Sequence, residues 1–352
     1  MLLIDGSYGE GGGQVLRTSL SLSVIFEKPF KIINIRKNRP KPGLQPQHLT
    51  CVKACAEISG AELKGAELNS QELIFIPKKK PINKTYTFDI KTAGSTSLLF
   101  QTLLYPLALS KGGELILKGG THVPFSPPYH YLKYIFLPVV DSLGLKAEVS
   151  LEKAGFYPKG GGRIIAKIPP WKNFRLPKFA EGFDPENIYI ISLISENLPS
   201  HILERQAKSA KEKLLKKKLK PKEEILEKIK SDSPGTMVFI YSIDRDKVKR
   251  VGFTELGRKG YPAEKVGENA VAQFLEFLKT NTQIEKYLAD QILIPISFAI
   301  IKNNKKNFKY TTSKITKHLL TQAWLIPQFI NEINIKILGK EGESGEVKIE
   351  RK

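Results

Sequence analysis

The sequence predicts an α+β fold made of three similar units, with an unrelated block set between the second and the third. Three observations predict it. A histidine that opens an apolar, helically spaced stretch recurs in Gln47-His48-Leu49-Thr50, Tyr129-His130-Tyr131-Leu132 and Lys317-His318-Leu319-Leu320. Upstream of each lies another helix-like stretch and a strand, and two short strand-like runs follow, so each unit reads helix, strand, helix, strand, strand. Finally, His48 and His130 are 82 residues apart whereas His130 and His318 are 188 apart. The excess of roughly a hundred residues is the size of a small domain, and exposed loops of a stable scaffold accept such insertions.

Bulk properties narrow the classes. The chain of 352 residues has material for a large core and two domains. No apolar run reaches the roughly 18 residues that a membrane span requires. The start, Met1-Leu2-Leu3-Ile4-Asp5-Gly6, lacks the basic-then-apolar pattern of a signal peptide. Cys51 and Cys55 are too few for a disulfide framework and suit a reducing compartment, so a cytoplasmic location is expected. With 56 Lys and Arg against 35 Asp and Glu, the net charge of +21 favours a polyanionic partner, nucleic acid first. A Lys- and Glu-rich surface of the kind found in heat-adapted proteins is the alternative reading of the same composition.

In the first unit, the strand Leu2–Asp5 runs into Gly6-Ser7-Tyr8-Gly9-Glu10-Gly11-Gly12-Gly13-Gln14. Such a loop lets backbone amides approach a ligand closely, and the helix behind it offers its positive end to an anion. Glu10 inside the cradle suits a metal that bridges to a phosphate, and Arg17, one turn into the helix, favours an anion over a plain strand-to-helix turn. Arg36, Lys37, Arg39 and Lys41 follow in a loop stiffened by Pro40, Pro42, Pro46 and Gly43, a phosphate-binding surface or a solvated charged loop. Cys51 and Cys55 share a helical face with His48 and read as buried core residues rather than metal ligands.

The second unit opens with Thr92-Ala93-Gly94-Ser95-Thr96-Ser97 and carries Gln101 one turn into its helix. Its proline-fixed loop, Gly119 to His130, holds two histidines that read as structural one by one, and Phe156-Tyr157-Pro158-Lys159-Gly160-Gly161-Gly162 reads equally as a turn or a ligand contact. After Pro169-Pro170-Trp171 the composition changes. Residues 184–280 read as an independent α+β block: strand Ile188–Ile194, a long basic helix within Lys208–Lys230, strands Thr236–Ile243 and Lys249–Leu256, and helix Pro262–Leu278 with its proline at the start. Residues 1–183 and 281–352 form the main domain. In the third unit Tyr287 could stack on a base, while Asp290 and Gln291 could hydrogen-bond a nucleoside, hold a metal or simply favour a helix start. Thr311-Thr312-Ser313-Lys314-Ile315-Thr316-Lys317 puts hydroxyl caps before a helix, with His318 in its first turn beside free amides. There the dipole favours a neutral imidazole able to attack a phosphorus whose oxygens rest on those amides. Trp171 and Trp324 read as packing residues.

Taken in order, Asp5-Gly6-Ser7, Gly9-Glu10-Gly11-Gly12-Gly13-Gln14, Arg17, Lys41-Pro42-Gly43-Leu44, Gln47-His48-Leu49, Tyr287-Leu288-Ala289-Asp290-Gln291 and His318-Leu319-Leu320-Thr321 resemble the RNA 3′-terminal phosphate cyclase family from the first strand to the last helix. Ala154, just before Gly155-Phe156-Tyr157-Pro158, stands where the family usually has a basic residue. The resemblance implies three units each of a four-stranded sheet with two helices, as in enolpyruvyl transferases, and a small inserted domain with thioredoxin-like topology. It implies an ATP-dependent enzyme acting on RNA with a 3′-phosphate, through AMP carried on His318. It further implies Mg²⁺ or Mn²⁺ at Glu10, phosphate clamps at Arg17, Arg36 and Arg39, and a nucleotide pocket lined by Gln47, Gln101, Pro128, Tyr287, Leu288, Ala289, Asp290 and Gln291. Two other readings share the architecture: a non-catalytic or nuclease-like relative in ribosomal RNA processing, and an enolpyruvyl transferase, which the glycine-glutamate loop and the charge do not suit.

Overall fold

A computed structural model describes residues 1–352. The first unit comprises β1 (Leu2–Asp5), α1 (Gly13–Phe26), β2 (Phe30–Ile33), α2 (Pro46–Ser59), β3 (Glu62–Lys64) and β4 (Leu73–Ile76). The second comprises β5 (Thr85–Asp89), α3 (Thr96–Ala108), β6 (Gly113–Gly119), a helix that starts as α4 (Tyr129–Tyr131), passes through a π-turn (Leu132–Phe136) and ends as α5 (Leu137–Ser142), then β7 (Glu148–Lys153) and β8 (Gly162–Ile168). Their sheets share one topology, β1-β2-β4-β3 and β5-β6-β8-β7, with the first pair parallel and the others antiparallel. Strict alternation decides the buried face: Tyr86 and Phe88 of β5 point inward between exposed Thr85, Thr87 and Asp89.

The inserted segment contains β9 (Pro185–Ser195), α6 (Ser200–Leu215), β10 (Glu223–Ile229), β11 (Thr236–Asp244), β12 (Arg250–Leu256) and α7 (Ala263–Leu278), in sheet order β10-β9-β11-β12. One element corrects the sequence reading. The basic stretch is not one helix: α6 stops at Leu215, Lys218 takes a left-handed φ of 59° before Pro221, and the chain returns as the edge strand β10, parallel to β9. Exposed Glu, Lys and Leu226 on β10 hid a period of two in which Ile225, Glu227 and Ile229 share the inner face. Both faces of β9 are apolar because both are covered. Ile188 and Ile190 pack with Val266, Val271 and Phe274 of α7, whereas Ile191 and Leu193 join the core of the main body. Tyr241 stacks between Tyr189 and Tyr134 at that seam.

The third unit has α8 (Leu288–Gln291), α9 (Leu293–Lys302), β13 (Asn307–Thr312), α10 (Lys317–Phe329), β14 (Ile333–Leu338) and β15 (Gly345–Arg351). Its sheet repeats the order of the other two, β13-β15-β14, but has three strands rather than four. The place of β1 and β5 is taken by a single parallel bridge, Ile284 to Thr312. The Gln283 side chain supplies what backbone does elsewhere: its Oε1 accepts from Thr311 N at 2.8 Å, and its Nε2 donates to the carbonyls of Phe179 and Ala180 at 3.1 and 3.0 Å. Where the chain enters the insert, Lys249, 1% exposed, donates to the carbonyls of Ala180 and Gly182 at 2.9 and 2.7 Å and faces Asp244 and Asp246. Helix α1 is buried nearly all round and packs on α2, α3 and α10. Its buried Ser19, Ser21 and Ser23 are small enough for neighbouring helices to come close. That packing brings the starts of α1, α2 and α10 together.

Candidate active site

The glycine loop meets α10 face to face. Glu10 N donates to Thr321 Oγ1 at 3.1 Å. At Gly9 φ is +61°, and a Cβ there would lie 2.2 Å from Thr321 Oγ1, so the loop can sit on the helix only as glycine. A Cβ on Gly13 would meet His48 Nε2 at 2.2 Å and Arg17 Nη1 at 2.8 Å, which places those two side chains directly against the start of α1. No side chain caps that start, so its first amides face the cleft unspent.

His318 is the second residue of α10, whose N-cap Thr316 accepts from Leu319 N at 3.1 Å. Its Nδ1 lies 2.9 Å from Gln14 Oε1, and Gln14 Nε2 donates to Asp290 Oδ2 at 2.6 Å. The amide thereby points its oxygen at the imidazole. An oxygen there selects the tautomer with hydrogen on Nδ1 and leaves the Nε2 lone pair free. His318 is solvent-exposed at the mouth of the cleft, yet crowding by protein, then Arg17 and Arg39, depresses its pKa to about 4. It is neutral at pH 7. His48, buried in α2 with Nδ1 accepting from Gln45 N at 3.3 Å, is depressed further, to about 3, by burial and by Arg17 and Arg36. Burial drives Asp290 the other way, to about 7, against the opposing pull of Arg17 and Gln14.

The cations divide into two kinds. Arg17 makes no ion pair, and burial lowers its pKa from the usual guanidinium value. Arg39 pairs with Glu10. Arg36, by contrast, has a left-handed φ of 54° and turns its guanidinium back onto the Lys41 and Gly43 carbonyls, so in this state it shapes the loop. Glu10 Oε2 is buried and has no hydrogen-bond partner. No group of three metal-binding side chains surrounds it. One orphaned carboxylate oxygen beside an anion cradle fits a hard cation that takes its remaining ligands from water and phosphate, as Mg²⁺ does.

The nucleotide-pocket residues fall into three places. Gln101 Nε2 donates to Gln291 Oε1 at 2.5 Å, and Gln291 donates to the Tyr287 carbonyl, so these three are joined across units. Tyr287 is 44% exposed, and its hydroxyl donates to Gln273 of α7 at 3.3 Å, so the insert helps to set the ring. Leu288 and Ala289 are fully buried, and the Ala289 carbonyl accepts from the Tyr310 hydroxyl; they anchor α8 rather than presenting side chains to a ligand. Gln47 is spent differently: its Oε1 accepts from Ser95 N at 2.7 Å at the N-cap of α3. Pro128 is the buried N-cap of α4, and its segment reaches the turn before α8 through the Tyr131 hydroxyl, which donates to Glu285.

Three partners escaped the sequence. Gln14 lies in the glycine motif, where no local signal points to its two partners. Thr321 lies in the histidine motif and seats the loop. Glu285, fully buried and pushed to about 7, accepts from Tyr131 and from Tyr287 N at 2.5 Å and orients the nucleotide-pocket turn. The Phe156–Gly162 stretch is a turn docked on the insert: Lys159 N donates to Ser233 Oγ at 3.3 Å, and a Cβ on Gly235 would strike the Phe156 ring at 2.1 Å. The two histidines of the second unit form a buried chain to the insert, Thr121 Oγ1 to His122 Nδ1 at 2.7 Å, His122 Nε2 to His130 Nδ1 at 2.9 Å and His130 Nε2 to Glu227 at 3.1 Å.

Comparison with known proteins covers the chain almost from end to end. The family model for RNA 3′-terminal phosphate cyclase matches residues 8–337. Relatives of that name include proteins from Pyrococcus furiosus, 42% identical over 100% of this chain and 99% of the relative, and Thermococcus kodakarensis, 41% identical over 98% and 97%. One from Gloeothece citriformis is 40% identical over 94% of this chain and 93% of its own. With Gly9 to Gln14 of the glycine loop, the histidine helix and the turn at Asp290 all inside the matched span, the chain belongs to the RNA 3′-terminal phosphate cyclase family.

Proposed function

We propose that this protein converts an RNA 3′-terminal phosphate to a 2′,3′-cyclic phosphodiester, using ATP and a covalent histidine-AMP intermediate on His318. The carrying observation is the bond between His318 Nδ1 and Gln14, which leaves Nε2 neutral and free beside two helix N-termini. Nε2 attacks the α-phosphorus of ATP, the bond to the β-phosphate oxygen breaks, and pyrophosphate leaves. The imidazole gains positive charge as the P–N bond forms, and Gln14 Oε1, accepting from Nδ1–H, stabilises it there. An oxygen of the RNA 3′-phosphate then attacks the adenylyl phosphorus, the P–N bond breaks and neutral His318 is restored. The adjacent 2′-hydroxyl finally attacks the activated terminal phosphorus, its proton passing to solvent water as the bond to the AMP oxygen breaks, so that AMP leaves and the ring closes. Proximity on one ribose makes that step intramolecular and fast.

The amides at the start of α1, Arg17 and Arg39 neutralise phosphate oxygens as charge moves between them. Tyr287 stacks on the adenine, Gln291 and Gln101 border the same pocket, and Gln47 and Pro128 hold the helix starts that surround it. Glu10 would hold Mg²⁺ or Mn²⁺ through its partnerless Oε2, and the ion would supply charge neutralisation at the polyphosphate. Residues 184–280 act as an inserted domain that braces this pocket through Gln273, and the protein works in the cytoplasm. The test incubates the protein with α-labelled ATP and magnesium. Acid-labile label on wild type and none on His318→Ala supports the reading, and no label on wild type across metals and pH overturns it.

A further inference from the structure

The catalytic assignment leaves Tyr8 and Trp324 without a task, although both flank it. Trp324, read from the sequence as a packing residue, is only partly buried. The Tyr8 ring lies on it with centroids 3.9 Å apart and planes 16° from parallel, while Tyr8 as a whole stays 43% exposed. One face of the Tyr8 ring is thus held flat against Trp324, while the residue keeps a large exposed area. An unpartnered exposed aromatic is common; Phe125 and Tyr157 are more exposed and neither stacks on an aromatic. A backed one is a preformed surface whose ordering cost is already met.

Position says what would use it. Trp324 belongs to the His318, Thr321, Trp324 row of α10, one ridge of side chains spaced three apart. Along the helix axis it lies about 9 Å beyond His318, from the rise per residue. Thr321, between them, is the residue on which the glycine loop rests through Glu10 N. The Asp5 carboxylate accepts from Ser7 N, Ser7 Oγ and Asn34, which closes the turn that presents Tyr8. The exposed side of the cationic loop comes next: Asn38 lies against Gly11, and Lys37 and Lys41 are exposed on either side of Arg39. A flat aromatic face beside the nucleophile and next to exposed cations has the two elements of single-stranded nucleic-acid binding, a stacking surface and a backbone track.

We infer that Tyr8, backed by Trp324, is the platform on which a nucleobase at or next to the RNA 3′ end stacks, while Lys37 and Lys41 accompany its backbone. The inference rests on the proposed cyclase reading for the identity of the strand. Stacking uses the base's π-face and not its edges, so binding is tolerant of sequence.

The experiment titrates a short 3′-phosphorylated single-stranded RNA into full-length protein without ATP, following anisotropy of a 5′ label and, in a Trp171→Phe background, quenching of Trp324 fluorescence. The expected result is quenching on binding, an affinity loss of about tenfold for Tyr8→Ala and Tyr8→Leu, and recovery with Tyr8→Phe or Tyr8→Trp. An otherwise identical RNA made abasic at its last two nucleotides should bind wild type and Tyr8→Ala alike. Equal affinity of wild type and Tyr8→Ala for the intact RNA, with only a lowered melting temperature in the variant, overturns the inference and makes Tyr8 a cover for Trp324; so does a wild type that binds no RNA. Labelling the same wild-type preparation with α-labelled ATP reports the cyclase reading separately, since binding to Tyr8 does not require adenylylation. If Trp171→Phe does not fold, anisotropy with Trp171 intact gives the same comparison.

Discussion

Replacing Gln14 by alanine removes a side chain that touches neither ATP nor RNA in the proposed mechanism, yet its effect on adenylylation is predicted to be large. The substitution deletes the 2.6 Å bond to Asp290 and the 2.9 Å contact with His318 Nδ1. With no acceptor at Nδ1, the imidazole samples both tautomers and more than one ring orientation. The positive charge that develops on the ring also loses its acceptor, a charge-assisted bond worth roughly 1.5–3 kcal/mol. Together these correspond to a rate loss of about 100-fold at saturating ATP. The assay is single-turnover incorporation of α-labelled ATP, with thermal unfolding as the control for folding. Gln14→Glu adds a directional check. Its carboxylate still accepts from Nδ1–H but faces Asp290 with like charge, so both neighbouring pKa values rise and the acid limb of labelling moves up from near 4. If Gln14→Ala labels within threefold of wild type, the amide does not orient the nucleophile, and the proposed division of labour is wrong.

Three further outcomes are expected. Asp290→Asn should stabilise the fold increasingly as pH rises: the native carboxyl holds its proton up to about 7 against 3.8 unfolded, so wild-type stability falls across that window. Relative to asparagine the change between pH 5 and 8 is roughly 3 kcal/mol, and denaturant melts that give a pH-independent difference would refute it. Lys249→Met leaves Asp244, 3% exposed, and Asp246 without their cation, and should cost about 3–5 kcal/mol in chemical denaturation. Gly9→Ala forces a Cβ to 2.2 Å from Thr321 Oγ1 at a φ of +61°, so it should lower adenylylation more than tenfold even where the melting temperature falls only a few degrees; a fully active variant would show that the loop does not need its seat on α10.

Local signals carried most of what the sequence revealed. Hydroxyl caps, glycine density and apolar periodicity each act over a few residues, so the loop before α1 and the place of His318 in the first turn of α10 were legible. Gln14 and Asp290 are 276 residues apart, and nothing near either one announces the other. The same holds for Tyr131 and Glu285, and for the stacked Tyr8 and Trp324. At Arg36 sequence and structure point apart: its neighbours predict a phosphate clamp, while in this state the left-handed backbone turns the guanidinium onto its own loop. Strand β10 was hidden because an exposed edge strand rich in Glu and Lys differs little in composition from the solvated face of a helix.

The two ends of the inserted segment meet at one point. A Cβ on Gly182 would stand 2.4 Å from Asn281 Oδ1, and Gln283 and Lys249 both hold the carbonyl of Ala180. Topologically, then, residues 183–280 form a closed lariat that a tight turn from 182 to 281 could replace with little disturbance to the neck. Thermodynamically the excision is forbidden. Ile191, Leu193, Met237 and Phe239 lie in the core of the main body, so the excised chain would keep its path and open an apolar wound along the helix that carries His130. A segment joined at a single neck thus also roofs the interior of the rest of the chain, and any shortened version of this protein must re-cover that face before it can be soluble.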